Sequence, residues 1–555
     1  MVLPASAMLC NTRELYAQVG MSAIPKILGL LDHHRLSPTY GCFDKNFWHY
    51  KTASFPTGMS QEFVLPLALV YLMPLPGGKA YYRQENLKEW VRAGIHYASR
   101  SAHRDGSCDD YFPYERALGA VAFSLYACTE SALLLQLRDA TIETFLIKRG
   151  RWLIHHEEAG ILANHHALAV LALYNVYLLS GQAVFLQAAQ QRLTRLLSWQ
   201  SDEGWFPEYE GCDPGYHTAT IDFLAKYYRK SADTQVLESL RRAVHFAADF
   251  LHPDGSYGGT YGSRNTALFF PHGFELLGAH IPEATWITDA YLQGVRAGKR
   301  VFLEDDRLIG HLTYNHLQAC IDFYPQRQPA PAVSQRVQFW QGAGLYVRRQ
   351  HDLYAVLAVA KGGVSIFFRG TRLLYADSGL IARCHDGRCL VTHLVDHYEH
   401  EVGDHTVRIQ GYFGYAKQRV PTPLTLLIFH AGMLTLGRWW SNGIRALLQK
   451  LLIVGKRPTA LRFQRTVQFY PEVTITDEIW DERPRRRGSH GLTALFAGTD
   501  HTSIYVAMSN AYQATCLLPW TDLSAYVEEL QRTGYVKIMR PVHVQNSAGR
   551  PGEQA

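Results

Sequence analysis

Between about Glu62 and Phe323 the apolar residues recur three and four positions apart, as in Ala117-Leu118-x-Ala120-Val121-x-x-Ser124-Leu125 and Ala167-x-Ala169-Val170-Leu171-x-x-Tyr174. That spacing gathers them on one side of an α-helix, so the stretch predicts helices throughout. Polar turns separate them: Asp105-Gly-Ser-Cys-Asp-Asp-Tyr111, Glu157-Glu-Ala-Gly-Ile-Leu-Ala-Asn164, Asp202-Glu-Gly-Trp-Phe-Pro-Glu208 and Asp254-Gly-Ser-Tyr257. They recur roughly every fifty residues, the length of two helices and two loops, which predicts helical hairpins arrayed as an (α/α) toroid. Every second loop of such an array lies at the same end, so the four segments are expected to converge on one opening. Three of them carry Asp, then Gly, then an aromatic residue. Asp and Gly are turn chemistry, and the rings are expected at the opening.

After the proline-rich connector Tyr324-Pro-Gln-Arg-Gln-Pro-Ala-Pro-Ala the pattern changes to short alternating and β-branched runs. Examples are Gly344-Leu-Tyr-Val-Arg, Tyr354-Ala-Val-Leu-Ala-Val, Val364-Ser-Ile-Phe-Phe, Val407-Arg-Ile-Gln and Glu472-Val-Thr-Ile-Thr-Asp, with turns such as Lys361-Gly362-Gly363 between them. Many short strands at this spacing predict two stacked antiparallel sheets. The expected architecture is therefore multidomain, α then β. Residues 1–50 are an N-terminal extension, 51–328 the toroid and 335–545 an antiparallel β-sandwich.

Composition narrows the function. An apolar fraction of 47% and a charged fraction of 19% are those of an ordinary globular protein, so a large core is available. The net charge of +6 is small for 555 residues, and part of it lies in the cluster Arg483, Arg485, Arg486 and Arg487, read as one solvated loop. Nucleic acid is not implied. Twenty-six histidines and 32 tyrosines on a mildly basic chain suit an acidic polysaccharide or oligosaccharide. Nine scattered cysteines give no disulfide framework and point to a reducing compartment. Met1-Val-Leu-Pro-Ala-Ser-Ala lacks the layout of a secretory signal, so the expected location is cytoplasmic, or periplasmic if the true start lies upstream.

No integral membrane segment is expected, since the best apolar stretch, Leu424 to Leu436, contains His430 and ends at Arg438. The piece after it, Trp439 to Val454, spaces Ile444, Leu447, Leu448, Leu451 and Leu452 like a helix, with Arg445, Lys450 and Lys456 among and after them. Two readings compete here, a membrane-surface helix and a helix packed on its own sheet, and base rates favour the second.

The densest polar constellation lies in three of the converging loops. One carries Asn164-His165-His166 at a helix start. The next runs from Trp205 through Glu208, Glu210 and Asp213 to Pro214-Gly215-Tyr216-His217, again just before a helix. The third holds Tyr257, Tyr261, Arg264 and Asn265 and closes with Pro271-His272-Gly273. Trp205, Tyr257 and Tyr261 are sugar-stacking candidates, and Arg264 is the cation best placed to meet a carboxylate. His217 is expected to orient its neighbours, and His166 to bond backbone. Glu208, Glu210, Asp213 and Asp254 carry a rival reading, because a pair of carboxylates facing one cleft is what a glycoside hydrolase needs.

Asn-His on one loop and Pro-Gly-Tyr-His on a loop about fifty residues later, in a toroid followed by a sandwich, resemble the heparinase II/III-like family and related alginate lyases. The resemblance runs from roughly Tyr50 to Val473 and extends to Leu374-Tyr-Ala-Asp377-Ser-Gly379 in the β-region. It implies a polysaccharide lyase that cleaves a uronate-containing polysaccharide by β-elimination, of use in exopolysaccharide metabolism. Asn164 and His165 would then hold the uronate while Tyr216 transfers protons. Where that family's β-domain hairpin carries a histidine aimed at the cleft, this chain has Lys361-Gly362-Gly363. The departure passes the role to Lys361 as a positive charge, or to His393 or His397, and otherwise leaves a glycan-binding or biosynthesis-associated protein without turnover.

The physical reading of the same residues is independent. Elimination needs the C5 proton removed, the adjacent carboxylate neutralised and a proton given to the departing O4. Asn164, His165 with Arg264, and Tyr216 supply those parts, and His272 closes the third loop. No redox or nucleotide cofactor is implied, because no glycine-rich phosphate loop is present. Cys384, Cys389, His393 and His397 have zinc-ligand chemistry but a spacing that matches no defined zinc motif, so a polar histidine-rich loop at the domain interface is the favoured reading.

Overall fold

The computed structural model describes residues 5–158, 160–209, 211–299, 308–327, 335–416, 420–435, 437–441, 443–444, 447, 457–482, 491–500 and 514–542. Among them, six helices form a closed inner ring: Val64–Leu72, Leu118–Leu134, Ala163–Ser180, Pro214–Ser231, Pro271–Leu277 and Ile309–Ile321. Each packs on the next, and the last returns to the first. Leu118–Leu134 and Ala163–Ser180 are apolar almost all round, because a helix inside the ring has neighbours on every side. The outer helices are amphipathic. Thr234–Ala247, for instance, buries Val236, Leu240, Ala243, Val244 and Ala247 along a single stripe.

Within the expected extension at residues 1–50, one helix packs on this ring. Helix Ala5–Leu30 is the outer partner of the sixth inner helix, with Arg13 Nε donating to the Cys320 carbonyl at 2.7 Å and Tyr16 donating to Glu275 at 2.7 Å. A ring needs a partner for its last inner helix, and the chain start supplies it.

The repeated Asp-Gly turns are packing devices. In each, a backbone N–H at 103, 201 or 252 donates to the carbonyl four residues on, and the central glycine has a positive φ: 93° at Gly106, 100° at Gly204 and 80° at Gly255. Each glycine lies against the next outer helix, where an added Cβ would meet backbone of Arg149, Arg242 or Gly294 at 3.0 Å or less. Of the aromatic residues that follow, Tyr257 is buried, Trp205 partly buried and Tyr111 exposed.

The β-region has two sheets. Five antiparallel strands, Arg336–Trp340, Leu345–Gln350, Leu353–Ala358, Val364–Arg369 and Arg372–Asp377, form a meander. Leu345, Val347, Val356 and Phe368 join the toroid's core from one face, while Tyr346, Ala355, Leu357 and Phe367 from the other meet Val407, Ile409, Val467 and Ile475 of the larger sheet. Burial on both faces explains why these strands read as near-continuous apolar runs. The larger sheet is built around the antiparallel strands Thr406–Tyr415, Pro458–Gln468, Thr474–Asp481 and Tyr535–Pro541. The order toroid then sandwich matches the expectation. The Arg483 to Arg487 cluster lies outside the described residues, as do Leu448, Leu451 and Leu452.

A buried quartet pins the two sheets together. Arg465 donates to Asp377 at 2.7 Å and to Asp477, its cross-strand partner, at 2.7 and 3.1 Å. Arg540 donates to Asp377 at 2.8 Å, to Asp477, and to the Tyr375 hydroxyl at 2.6 Å. Burial alone would raise the Asp377 pKa, but Arg465 and Arg540 outweigh it and hold it down to about 2. Because that folded pKa lies below the ordinary carboxylate value, the stabilisation is complete above about pH 4 and is lost as pH falls through 2. Asp377→Asn is expected to destabilise the protein by about 3 to 5 kcal/mol at neutral pH, by leaving two buried guanidinium groups to share one carboxylate. Urea unfolding at pH 7 and pH 2.5 checks this, the difference between variant and parent shrinking at the lower pH.

Candidate active site

The inner helices begin at the loop end of the toroid, so residues in their first turns come together there. Asp213 caps the fourth inner helix, accepting from the Tyr216 N–H at 2.9 Å through one oxygen and from the Arg264 and Thr266 N–H groups at 2.8 and 3.3 Å through the other. One carboxylate thus fixes both the start of Tyr216's helix and the loop that bears Arg264. The approach is close enough to need Gly262, where a Cβ would stand 2.5 Å from Asp213 Oδ2. Burial raises the Asp213 pKa, against the opposing pull of these N–H groups and Arg264.

The Arg264 guanidinium lies 4.3 Å from the centre of the Tyr216 ring and 4.8 Å from that of Tyr209, with Nη1 3.6 Å from Glu208 Oε2. Burial would lower its pKa, but Tyr216, Tyr209, Glu208 and Asp213 prevail and raise it above the ordinary value. Glu208 is buried, and that raises its pKa despite Arg264 and Asn164. It grips Asn164 with both oxygens, accepting from the backbone N–H at 2.9 Å and from the side-chain amide at 2.8 Å. One amide hydrogen of Asn164 is therefore already committed.

His165 shares a 2.9 Å hydrogen bond with Glu158, through Nδ1, and is partly exposed. Its ring stands edge-on to Phe123 and faces Gly119, where a Cβ would come within 2.8 Å. Beyond Phe123 lies His311, its ring tilted against Phe123 at 4.8 Å and its Nδ1 3.1 Å from Glu62. Tyr216, Arg264, Glu208, Asn164 and His165 thus share one neighbourhood at the toroid's loop end, and the N-termini of the helices bearing Asn164 and Tyr216 favour negative charge there.

Several candidates lie elsewhere. Tyr257 is buried and donates to the Ala247 carbonyl at 3.0 Å, and Tyr261 is buried with its hydroxyl 2.9 Å from His252 Nε2, so neither ring offers a sugar platform. Trp205 donates to Glu203 at 2.9 Å, and Glu203 in turn accepts from Gly342 and Ala343 of the β-domain, making this indole part of the domain junction. His217 is a core histidine bonded to the Ala243 carbonyl at 3.0 Å, its pKa lowered by burial to about 4. His272 binds Asp322 at 2.9 Å deep in the ring, because the fifth inner helix starts well below the rim. His166 is buried edge-on to Trp199, its pKa also pushed down by burial to about 4.

Lys361 reaches from the β-domain into the toroid, donating to the Thr260 carbonyl at 2.8 Å, the Gly262 carbonyl at 2.6 Å and the Asn265 side chain. Three acceptors use all three ammonium hydrogens, so Lys361 secures the Arg264 loop. Burial lowers its pKa to about 7, with Asp213 pulling the other way. His393 is buried nearby, and burial followed by the Lys361 charge lowers its pKa to about 3. His397 is exposed, Cys384 lies in the sandwich core and Cys389 on the neighbouring strand, and among the described residues no cluster of three metal-ligating side chains forms. The candidate zinc quartet is therefore dispersed over core, strand and loop.

Tyr209 was missed by sequence reasoning. Its φ of 58° is uncommon for a bulky residue, and its N–H bonds the Ile161 carbonyl at 2.6 Å, so the backbone is turned to bring the ring to Arg264. Glu158, the partner of His165, and the pair Glu62 and His311 were likewise unassigned. The run Glu157-Glu158 before Asn164-His165 was the available signal for the first of these.

No family model matches the chain, and no curated protein sequence does. Solved structures do. The chondroitin AC lyase of Streptomyces coelicolor A3, in complex with chondroitin sulphate, matches with a TM-score of 0.51 at 11% identity, over 88% of this chain and 68% of that one. The fold is that of this lyase. Heparinase III aligns with a TM-score of 0.46 at 9% identity, over 87% of this chain and 77% of its own, and a mutant heparan sulfate lyase from Pedobacter heparinus with 0.42 at 13%, over 89% and 75%.

Lys361→Met is expected to lower stability by about 2 to 4 kcal/mol, because three buried acceptors lose their donor at once. Urea denaturation at pH 6 measures it, and limited proteolysis should show new cleavage within 259–266.

Proposed function

We propose that the protein is a polysaccharide lyase that cleaves a uronate-containing acidic polysaccharide by β-elimination. The observation that carries the reading is the Arg264 guanidinium set against the Tyr216 ring and Glu208, with Asn164 and His165 beside them. In this reading Tyr216, its ring held by the Arg264 cation, takes the C5 proton as the phenolate. As the C4–O4 bond breaks and the C4=C5 double bond forms, the same hydroxyl returns the proton to O4. Asn164, oriented by Glu208, and His165, oriented by Glu158, are the groups that neutralise the uronate carboxylate so that charge delocalises into it. The shared fold with a lyase acting on chondroitin supports the same class of substrate.

The hydrolase reading has little support among the described residues. Glu208 is buried and bonded to Asn164. Asp213 is a helix cap, and Asp254 closes its own turn by accepting from Ser256. Glu210 lies outside the described residues. A glycan-binding role without turnover would leave the tyrosine and arginine pairing without a task.

Ultraviolet absorbance of the 4,5-unsaturated uronate, followed over chondroitin, heparan, hyaluronan, alginate and bacterial exopolysaccharides, tests the proposal. Absorbance is expected to rise on at least one substrate and to fall by roughly a hundredfold or more in Tyr216→Phe, with a comparable loss in Arg264→Ala. New reducing ends without absorbance would overturn it.

A further inference from the structure

The loop between strands Thr406–Tyr415 and Pro458–Gln468, which pair with one another, contains helix Pro423–Leu434. Of its residues only Met433 is buried. Leu424, Leu427 and Ile428 are 65%, 66% and 62% exposed, and Leu426 and Leu434 are also exposed. Successive positions 426, 427 and 428 point in three different directions, so apolar surface runs around the helix rather than along one stripe. Trp439 and Trp440, just beyond it, are 79% and 69% exposed, with the Arg438 guanidinium 4.7 Å from the Trp439 ring. Of the stretch Trp439 to Val454, expected to pack on its own sheet, the described side chains of Trp439, Trp440 and Leu447 are exposed.

The geometry points to a lipid bilayer bearing anionic headgroups as the surface that receives this helix. A protein groove selects a helix with one apolar stripe, whereas hydrocarbon accepts apolar side chains all round. Twelve residues span about 18 Å, near the half-thickness of about 15 Å of a bilayer core, so the helix can enter one leaflet without crossing. Exposed tryptophans and an arginine at its end are the residues that settle at the headgroup level. From His405 to Pro471 the sequence has no Asp or Glu, and Arg438, beside Trp439, and Arg457, before the next strand, are exposed, a charge pattern complementary to acidic lipid. The hydroxyl of Thr422 caps the helix, and Phe429 packs edge-on against Phe112 of the loop leading to Gly119 and the His165 neighbourhood. Docking would therefore hold the loop end of the toroid beside the bilayer. The inference does not depend on the lyase reading.

Flotation of the full-length protein with vesicles of phosphatidylethanolamine and phosphatidylglycerol, against vesicles of phosphatidylcholine alone, tests it. The parent is expected to float with the anionic vesicles and to be released by salt. The double variant Leu427→Glu, Ile428→Glu should lose binding by roughly tenfold or more at an unchanged melting temperature, since both side chains are exposed. Brominated lipid in the anionic vesicles should quench part of the tryptophan emission, and Trp439→Phe with Trp440→Phe should remove that part. Undiminished flotation of the double glutamate variant, or none by the parent, would overturn the inference. So would a vesicle-free dimer of the parent that the same variant dissolves, because the helix would then cover a second copy of this chain.

Discussion

The three hydrogen bonds of the Lys361 ammonium hold the site together. They tie a turn of the smaller sheet to the toroid loop 259–266, and that loop carries Arg264. Asp213 grips the loop from the other side while capping the Tyr216 helix, so Tyr216 and Arg264 are set against one another by groups from two domains. The turn itself is anchored further back, because the Gly363 carbonyl accepts from Arg465 of the sandwich quartet at 3.2 Å. Stability and site geometry thus run through one connected polar network, in which each buried charge has a partner, as burial in low dielectric demands.

The inner ring explains why the polar site sits where it does. Helices surrounded on all sides need a partner for every buried polar group, as Lys226 has in Asp222, so the polar side chains that can face an opening gather in their first turns and in the loops feeding them. Asn164, His165, Tyr216 and His311 all stand at such starts. The exception shows the rule: the fifth inner helix begins low in the ring, and its His272 becomes a buried structural residue bonded to Asp322. Glu208 and Glu158 then orient Asn164 and His165 from behind, and Asp213 caps the Tyr216 helix, so Glu208 and Asp213, which resemble hydrolase chemistry in the sequence, serve as supports.

Much of this could be read from the sequence. The (α/α) hairpins, the change to strands after Tyr324 and the gathering of Asn164, His165, Tyr216 and Arg264 followed from periodicity and from turn residues at a regular spacing. The misreadings share a cause. Tyr257, Tyr261, Trp205 and His217 stand in polar, turn-rich segments, yet each is taken up by a structural partner, such as the Ala247 carbonyl for Tyr257, the Ala243 carbonyl for His217 and Glu203 for Trp205. An aromatic ring beside a glycine turn can close a core or face a ligand, and local sequence is the same in both cases.

The sequence by itself determined the order of the two domains and the hairpin repeat, because those features are local patterns of side chains along a regular backbone. The tertiary structure alone decided that Lys361 is a tether rather than a cleft residue, that Glu208 serves Asn164, that Tyr209 joins Arg264, and that the helix Pro423–Leu434 leaves most of its apolar side chains exposed. Each of these depends on which group meets which across tens to a hundred residues of chain. Such meetings are set by packing in space, and spacing along the chain does not encode them.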